Sequence, residues 1–520
     1  MLYFLYKKPY FYNNKNMEER KMKSLWLKKD IIENFPELKE NLESEICIIG
    51  GGIFGISTAH YLCKYGYKVV LIERDELASK VTGHTTAKIT SQHGLIYHYL
   101  LNQYGKDFAK KYYEAKQKAR ENIEKIINTN NIECDFKKQT SNIYTTNKSE
   151  IQKIEEEFRA LNELDIKAKK NEESPLPFKI ISSIEFENQA QFNPIKYIKG
   201  LVKTIKENSG LIFENTTCYD IKKEKNSYIC YTKNNKIKTK YVIIATQYPF
   251  VNFPGIYFAK MYQSSSYVIG LDTKTDLFNG MYINIQSPIY SFRTAFDEGK
   301  EILLIGGLDH KTGENIDYKN SYGLLEEKAK IWYPSCEIKY RWSTRDCITL
   351  DKIPYIGEFS NMLPNIYVGT GFNKWGMTSS NIAARIITDK ITEKENEYEY
   401  IFKATRINPI VNKDEVKNMI SQTTKSLVIE RIKEDSKENI DDIKEETGKI
   451  IEIRGEKVGV YKDIDGKIFA VKPVCTHLGC ILNWNDADKT WDCPCHGSRF
   501  DYKGKNINNP AIKDLEKVKI

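Results

Sequence analysis

Four cysteines and two histidines gather near the C-terminus, as Cys475-Thr-His477-Leu-Gly-Cys480 and then Cys493-Pro-Cys495-His496-Gly-Ser498. C-x-H set against C-x-x-H offers two thiolates and two imidazoles from two loops, a donor set for a soft or borderline metal. The plainest reading is a Cys2His2 zinc site, but a zinc knuckle has no use for the extra cysteine in each loop. A second constellation lies near the N-terminus. Gly50-Gly51-Gly52-Ile53-Phe54-Gly55 contains G-x-G-x-x-G, with an acidic residue, Glu73, ending the next apolar run. Gly50 suits the tight turn, Gly52 a close pyrophosphate approach and Gly55 helix–strand packing. The helix N-terminus favours phosphate, and Glu73 can accept from ribose hydroxyls. The motif alone does not separate FAD from NAD.

The elements that must position these residues are legible from periodicity. Ser44–Gly50 and Tyr67–Glu73 are short apolar runs around a helical stretch, Phe54–Gly66, which makes a βαβ unit. Residues 97–128 have the spacing of one long amphipathic helix, and 195–207 that of another. Residues 241–246 and 366–370 predict buried strands, 260–310 alternate like antiparallel strands, and a helix is expected from about Met377 to Asp389. Between 401 and 447 charges of both signs dominate, which predicts a solvated helical connector. Residues 449–471 alternate as short strands, and Asp465-Gly466 is a hairpin signal. The division expected is an extension over 1–43, a catalytic region over 44–400, a connector over 401–444 and a small β domain over 445–520.

The 520 residues suggest about three domains. With 41% hydrophobic and 29% charged residues, collagen-like and wholly disordered classes are excluded. Net charge is +9, from 79 basic and 70 acidic residues, with no basic stripe interleaved with aromatics, so no nucleic-acid partner is expected. No apolar run reaches the ~18 residues of a membrane span, and residues 1–16 lack the pattern of a signal peptide. Met17 and Met22 are alternative starts. Of 11 cysteines, Cys47, Cys63, Cys134, Cys218, Cys230, Cys336 and Cys347 are scattered singly, as in a cytoplasmic protein with buried thiols.

The C-terminal constellation resembles the Rieske [2Fe-2S] centre, in which two His replace two Cys on one iron. The likeness covers roughly residues 445–520. It implies that Cys475 and Cys493 hold one iron and His477 and His496 the other. It also implies a loop-to-loop disulfide, Cys480–Cys495, as in cytochrome bc-type Rieske proteins; two free thiols are the alternative, since cytosolic disulfides are unusual. Ser498 stands where those proteins place a hydroxyl donor to a bridging sulfide. Phe500 stands where they usually place a tyrosine donor to a cysteine sulfur, which implies a lower potential here. Asn508-Asn509-Pro510 resembles their proline loop.

Residues 44–390 are similar to the D-amino-acid oxidase superfamily, which includes glycine and sarcosine oxidases. The segments that carry the likeness are GGGIFGISTAHYL with VVLIERD; Gly83-His84-Thr85-Thr86-Ala87-Lys88; Phe192-Asn193-Pro194 with the later YVIIAT; and Asp351-Lys-Ile-Pro354-Tyr355-Ile-Gly357 followed by NIYVGTGFNKWGMTSSNIAARI. The fold class implied is an α/β (α+β) FAD-binding Rossmann-like domain with an antiparallel-sheet substrate domain, plus a small all-β Rieske domain. The FAD contacts implied are Gly50, Gly52, Ile53, Phe54, Gly55, Glu73, Arg74, Thr85, Thr86, Ala87, Cys218, Ala245, Gly376, Met377 and Thr378. Some members bind FAD covalently; His84 is near such a position but one residue out of register, so non-covalent FAD is expected. Arg341 falls roughly where glycine oxidase-like enzymes keep an arginine for the substrate carboxylate, although a structural arginine fits as well. Lys374 and Trp375 are candidate pocket residues, and His93 and His98 candidate flavin neighbours.

A flavin takes electron pairs and a Rieske cluster carries one electron. The combination implies an FAD-dependent oxidoreductase. It would oxidise a small amine or amino acid C–N bond and pass electrons through the cluster to an external one-electron carrier protein or quinone. Two alternatives stand beside it: a reductase in which an external donor feeds the flavin through the cluster, and a flavoenzyme whose Rieske domain is a redox sensor or docking module. An oxygen-using oxidase would release peroxide. A Rieske oxygenase would need a 2-His-1-carboxylate iron site, for which the sequence offers no helix-borne His pair.

Overall fold

The apolar run Leu42–Ile49 is the middle of an eight-stranded sheet in the computed structural model, which describes residues 24–28, 31–314, 321–406 and 439–520, with isolated positions 417, 421 and 425. Val69–Ile72 and Lys236–Ile244 flank it in parallel, and Leu211–Phe213 and Ile366–Thr370 extend the parallel order outward. Such strands are buried on both faces, which is why they read as continuous Val/Ile runs. The helices Ile53–Lys64, Pro194–Glu207 and Gly376–Ile391 share one large apolar core on one face of this sheet. Asn193 caps Pro194–Glu207, its Oδ1 accepting from the Ile195 and Lys196 amides, and proline opens the first turn.

The alternating stretch after residue 260 forms most of a second sheet, of nine strands. Met261–Asp272 pairs antiparallel with both Lys300–Lys311 and Glu337–Thr349, and the sheet continues through Tyr290–Asp297, Met281–Asn284, Lys137–Thr145 and Ser182–Gln191. The single long helix expected over 97–128 is two, Ile96–Tyr104 and Lys106–Thr129. Gly105, at φ +82°, breaks the ladder between them. Residues 24–28 and 31–43, set apart above as part of an extension, pack against this first domain. Trp26 is buried and its indole donates to the Thr85 carbonyl at 2.7 Å, while Glu214 accepts from the amides of Phe35 and Leu77.

The C-terminal domain is two small antiparallel sheets. One is Thr447–Ile453, Glu456–Lys462 and Ile468–Val471; the other runs Asn483–Asn485, Thr490–Asp492, Arg499–Asp501 and Asn506–Asn508. The Asp465-Gly466 turn joins the last two strands of the first sheet. Gly466 takes φ +77°, and the Asp463 carboxylate accepts from the amides of Asp465 and Lys467. Most of the connector predicted over 401–444 lies outside the described residues.

Candidate functional site

The two Cys/His loops are built alike. The carbonyl of Cys475 accepts from the Gly479 amide at 2.9 Å, and that of Cys493 from the Gly497 amide at 3.0 Å. Gly479 and Gly497 take positive φ, which lets each loop fold back toward its cysteine. Cys475 and Cys493 are buried, and their thiols hydrogen-bond to each other, which lowers Cys475 to about 7 and pushes Cys493 up. The His477 and His496 rings lie 5.0 Å apart at 90°. Both Nδ1 atoms are buried without a hydrogen-bond partner. Two adjoining thiols and two orphaned imidazole nitrogens are a donor set that asks for metal, so the residues fit the expected cluster. Cys480 and Cys495 are joined as a disulfide that ties the loops together. The Ser498 hydroxyl reaches Cys475 and accepts from the Ala511 amide at 3.0 Å, and Phe500 is fully buried against the cysteines.

The dinucleotide end fits its motif. A Cβ on Gly55 would meet the Gly50 carbonyl at 2.0 Å, and one on Gly50 the Ala245 carbonyl at 2.5 Å, with Gly50 at φ +118°. Gly55 is thus a packing glycine, while Gly50 and Gly52 face a groove. Glu73 sits in that groove and accepts from the Gly51 amide at 2.6 Å and the Asp75 amide at 2.9 Å; burial raises its pKa. Four lone-pair sites on a carboxylate leave room for ribose hydroxyls. Arg74, Cys218 and Ala245 line the same groove, of about 140 Å³.

A larger cavity of about 220 Å³ adjoins it, and the two share Gly52, Val81, Thr82, Ala245 and Gln247. Ile53, Phe54, Thr85, Thr86, Gly376 and Met377, among the residues the resemblance implies for FAD, line this cavity. Gly376 opens the helix Gly376–Ile391, whose N-terminus therefore faces the cavity and favours negative charge there. Ala87 and Thr378 lie behind the wall: the Ala87 carbonyl accepts from Arg293, and the Thr378 hydroxyl contacts the Thr90 carbonyl. The second sheet contributes Ser291, Asp309, Thr344, Asp346 and Cys347 to the cavity lining. Lys374 lines the cavity and pairs with Asp309 at 2.9 Å. Lys88 lines it too, with burial lowering its pKa to about 7, and burial raises Asp346 to about 6.

Arg341 is not at this wall. It pairs with Glu326 on the helix Ser321–Trp332, at 2.5 Å. Thr344 and Asp346 alternate toward the cavity, and Arg341 is out of phase with them on the same strand. The substrate-arginine reading is corrected accordingly. His84 is turned to the Lys80 carbonyl, with its Nδ1 at 2.7 Å. His93 stacks on Trp375 at 4.6 Å and hydrogen-bonds Tyr112 and Thr90, a satisfied core histidine. His98 contacts Asn102 and Glu156. Lys88 closes the Gly83–Lys88 segment but is given no site role from sequence, and Asp346, an aspartate on an alternating strand, carries no local signature.

The C-terminal domain docks with its cysteine–histidine loops against the first domain. His477 Nε2 lies 2.8 Å from Asn252 Oδ1, and Phe258 meets both histidine rings in T-shaped contacts. Gln263 donates from Nε2 to the carbonyls of His496 at 2.9 Å and Asn509 at 2.8 Å. Gln263 is the direct ladder partner of Cys347, which lines the larger cavity. One side chain and one interstrand step, about 5 Å across, therefore separate the cavity wall from the backbone of a candidate metal ligand. Beside this, Arg345 pairs with Asp488, which also accepts from Arg499 at 3.0 Å; Arg499 in turn holds Asp492 at 2.8 Å.

Residues 45–390 match the family described as FAD dependent oxidoreductase (DAO), and residues 437–519 match the Rieske [2Fe-2S] domain. The chain is 37% identical over 507 residues to YhfW of Bacillus subtilis, a Rieske 2Fe-2S iron-sulfur protein by name, covering 97% of this chain and 99% of that one. The cytochrome b6-f complex iron-sulfur subunit of Chlorobaculum tepidum is 38% identical over 79 residues, 15% of this chain and 43% of its own. Glycine oxidase from Bacillus cereus superposes with a TM-score of 0.57 at 18% identity, over 70% of this chain and 99% of that one. L-amino acid deaminase from Proteus vulgaris gives 0.59 at 15%, over 74% and 100%. These two structures share the fold.

Proposed function

Because the chain belongs to the FAD dependent oxidoreductase family and carries a Rieske [2Fe-2S] domain, we propose that it oxidises the C–N bond of a small amine or amino acid and passes the electrons one at a time to an external carrier protein or quinone. FAD supplies the hydride acceptor and the cluster the one-electron carrier. The residues of the chain position the substrate. Lys374, paired with Asp309, and Lys88, whose charged form a bound carboxylate would favour, face the larger cavity, and Asp346 takes a proton from the substrate ammonium. Loss of that proton and of a hydride from the adjacent carbon leaves an imine-level product. Neighbours named glycine oxidase and L-amino acid deaminase carry this fold, which supports a C–N substrate. The observation that carries the reading is the docking of the cluster loops beside the cavity through Gln263 and Cys347. That contact suits intramolecular transfer better than a remote sensor domain.

No helix among the described residues is long and apolar enough to cross a membrane. The free thiols of Cys47, Cys63, Cys134, Cys218, Cys230, Cys336 and Cys347 support a cytoplasmic placement, in which burial shields the Cys480–Cys495 disulfide from reduction. The test is anaerobic mixing of oxidised protein with a panel of amines and amino acids, following flavin bleaching and the reduced-cluster EPR signal together. Bleaching followed by a rising cluster signal is the expected result. A flavin that turns over while the cluster stays oxidised would point to a sensor. If no substrate bleaches the flavin while dithionite reduces both centres, the amine reading weakens and the reductase reading, with an external donor, moves to the front.

A further inference from the structure

The groove that begins at Gly50 and Glu73 is closed on its far side by the other domain. Ile507, Asn508, Asn509 and Ile512 line it together with Glu73, Arg74 and Cys218. We propose that the Rieske segment 507–512 is the outer wall of the adenosine half of the FAD site, so that FAD and the docked Rieske domain hold each other in place. The inference rests on FAD lying along the Gly50–Glu73 motif.

Three sets of contacts build that wall. Arg74 follows the ribose-facing Glu73 and spends its guanidinium across the interface. Nη1 donates to Asn506 Oδ1 at 2.9 Å and Asn509 Oδ1 at 3.3 Å, and Nη2 to the Ile507 carbonyl at 3.0 Å; Nε is kept in place by Asp75. Asn509 is held from three directions. Besides Arg74, its Nδ2 donates to the Tyr248 carbonyl at 3.2 Å and its own carbonyl accepts from Gln263. Ile512 packs against the apolar cluster that contains Cys218, Val70 and Ile72. Gln263 also holds the His496 carbonyl, so one side chain ties the groove wall to a cluster ligand. A ligand that buries itself between two docked domains raises the affinity of each for the other, and the coupling is reciprocal. FAD bound here cannot leave along this side without the Rieske domain moving.

The experiment uses the full chain with its cluster, reversibly stripped of FAD. FAD is titrated back by fluorescence quenching into the parent, Asn509→Ala and Ile512→Ala, and cluster EPR confirms that each variant keeps its Rieske signal. The expected result is an FAD Kd at least fivefold weaker in both variants. Hydrogen exchange is read in parallel on the unaltered protein, where amides of 505–513 are expected to exchange faster once FAD is removed. Unchanged Kd in both variants, or exchange indifferent to FAD, overturns the proposal. A parent that takes up no FAD at all would instead overturn the placement of FAD itself.

Discussion

Asp346 sits in the wall of the larger cavity, where burial holds its carboxyl neutral to about 6. A base of that strength is anionic at neutral pH and can accept a proton from a substrate ammonium. Activity on an amine, as kcat/KM, is therefore expected to rise with pH through about 6 and then level. Asp346→Asn should abolish that limb and cost about 10²–10⁴-fold in rate; a pH–rate series on both proteins checks it. The same shift predicts a stability trend of definite sign. The folded-state pKa lies above the ordinary 3.8, so the folded protein binds this proton more tightly. Its contribution is whole below 3.8 and is lost as pH rises through about 6. Denaturant titrations of the parent and Asp346→Asn between those pH values should converge toward the acid end. Lys88 pairs with this argument: Lys88→Met removes an amine that a bound carboxylate would hold in its charged form, and is expected to raise KM for a carboxylate substrate by about 10–100-fold while leaving an uncharged amine less affected.

The two Cys/His loops are the element on which the potential and the docking both depend. Ser498 gives its hydroxyl toward Cys475, and Phe500 packs its ring among the cysteines without a donor to give. Hydrogen bonds to cluster sulfurs favour the more negative, reduced state. One bond worth about 1.4 kcal/mol between the two states corresponds to ~59 mV for a one-electron couple. Ser498→Ala is expected to lower the potential by about that amount and Phe500→Tyr to raise it, as read by EPR-monitored redox titration. Gly497 tests the docking. A Cβ there would lie 2.6 Å from the Gln263 side chain, at φ +79°. Gly497→Ala should therefore slow the appearance of reduced cluster after substrate, with flavin bleaching unchanged in stopped-flow traces. At this scale the sequence was readable where chemistry is local. The candidate cluster ligands lie within short loops, and the glycine fingerprint within one turn. Arg341 has two readings in sequence, a substrate arginine or a structural one, and its pairing with Glu326 on the neighbouring helix, away from the cavity lining, is long-range information that no local pattern carries.

At the scale of the whole molecule, the two domains were legible and their embrace was not. Residues 475–498 and 50–73 each carry a pattern, but Arg345 with Asp488, or Gln263 with His496, are pairs far apart in sequence with no pattern to announce them. The buried Asp488 is the most informative of these. It holds Arg345 of the first domain and Arg499 of the second, and Arg499 keeps Asp492 as a further partner. Removing Asp488 therefore strands one charge in particular, Arg345, whose guanidinium burial already depresses to about 9. Breaking one side of a buried pair costs about 3–5 kcal/mol, mainly from the charge left behind, whereas exchanging both partners for apolar groups costs little. Asp488→Leu is expected to fall in that range by denaturant unfolding, and Arg345→Met with Asp488→Leu to recover most of the loss. The pair of measurements separates two roles. If the double variant regains stability and still passes electrons from substrate to cluster, apolar packing suffices to hold the domains together. If it regains stability but the cluster lags behind the flavin, the charges set the docking geometry, and Gln263 alone does not keep His496 beside the cavity.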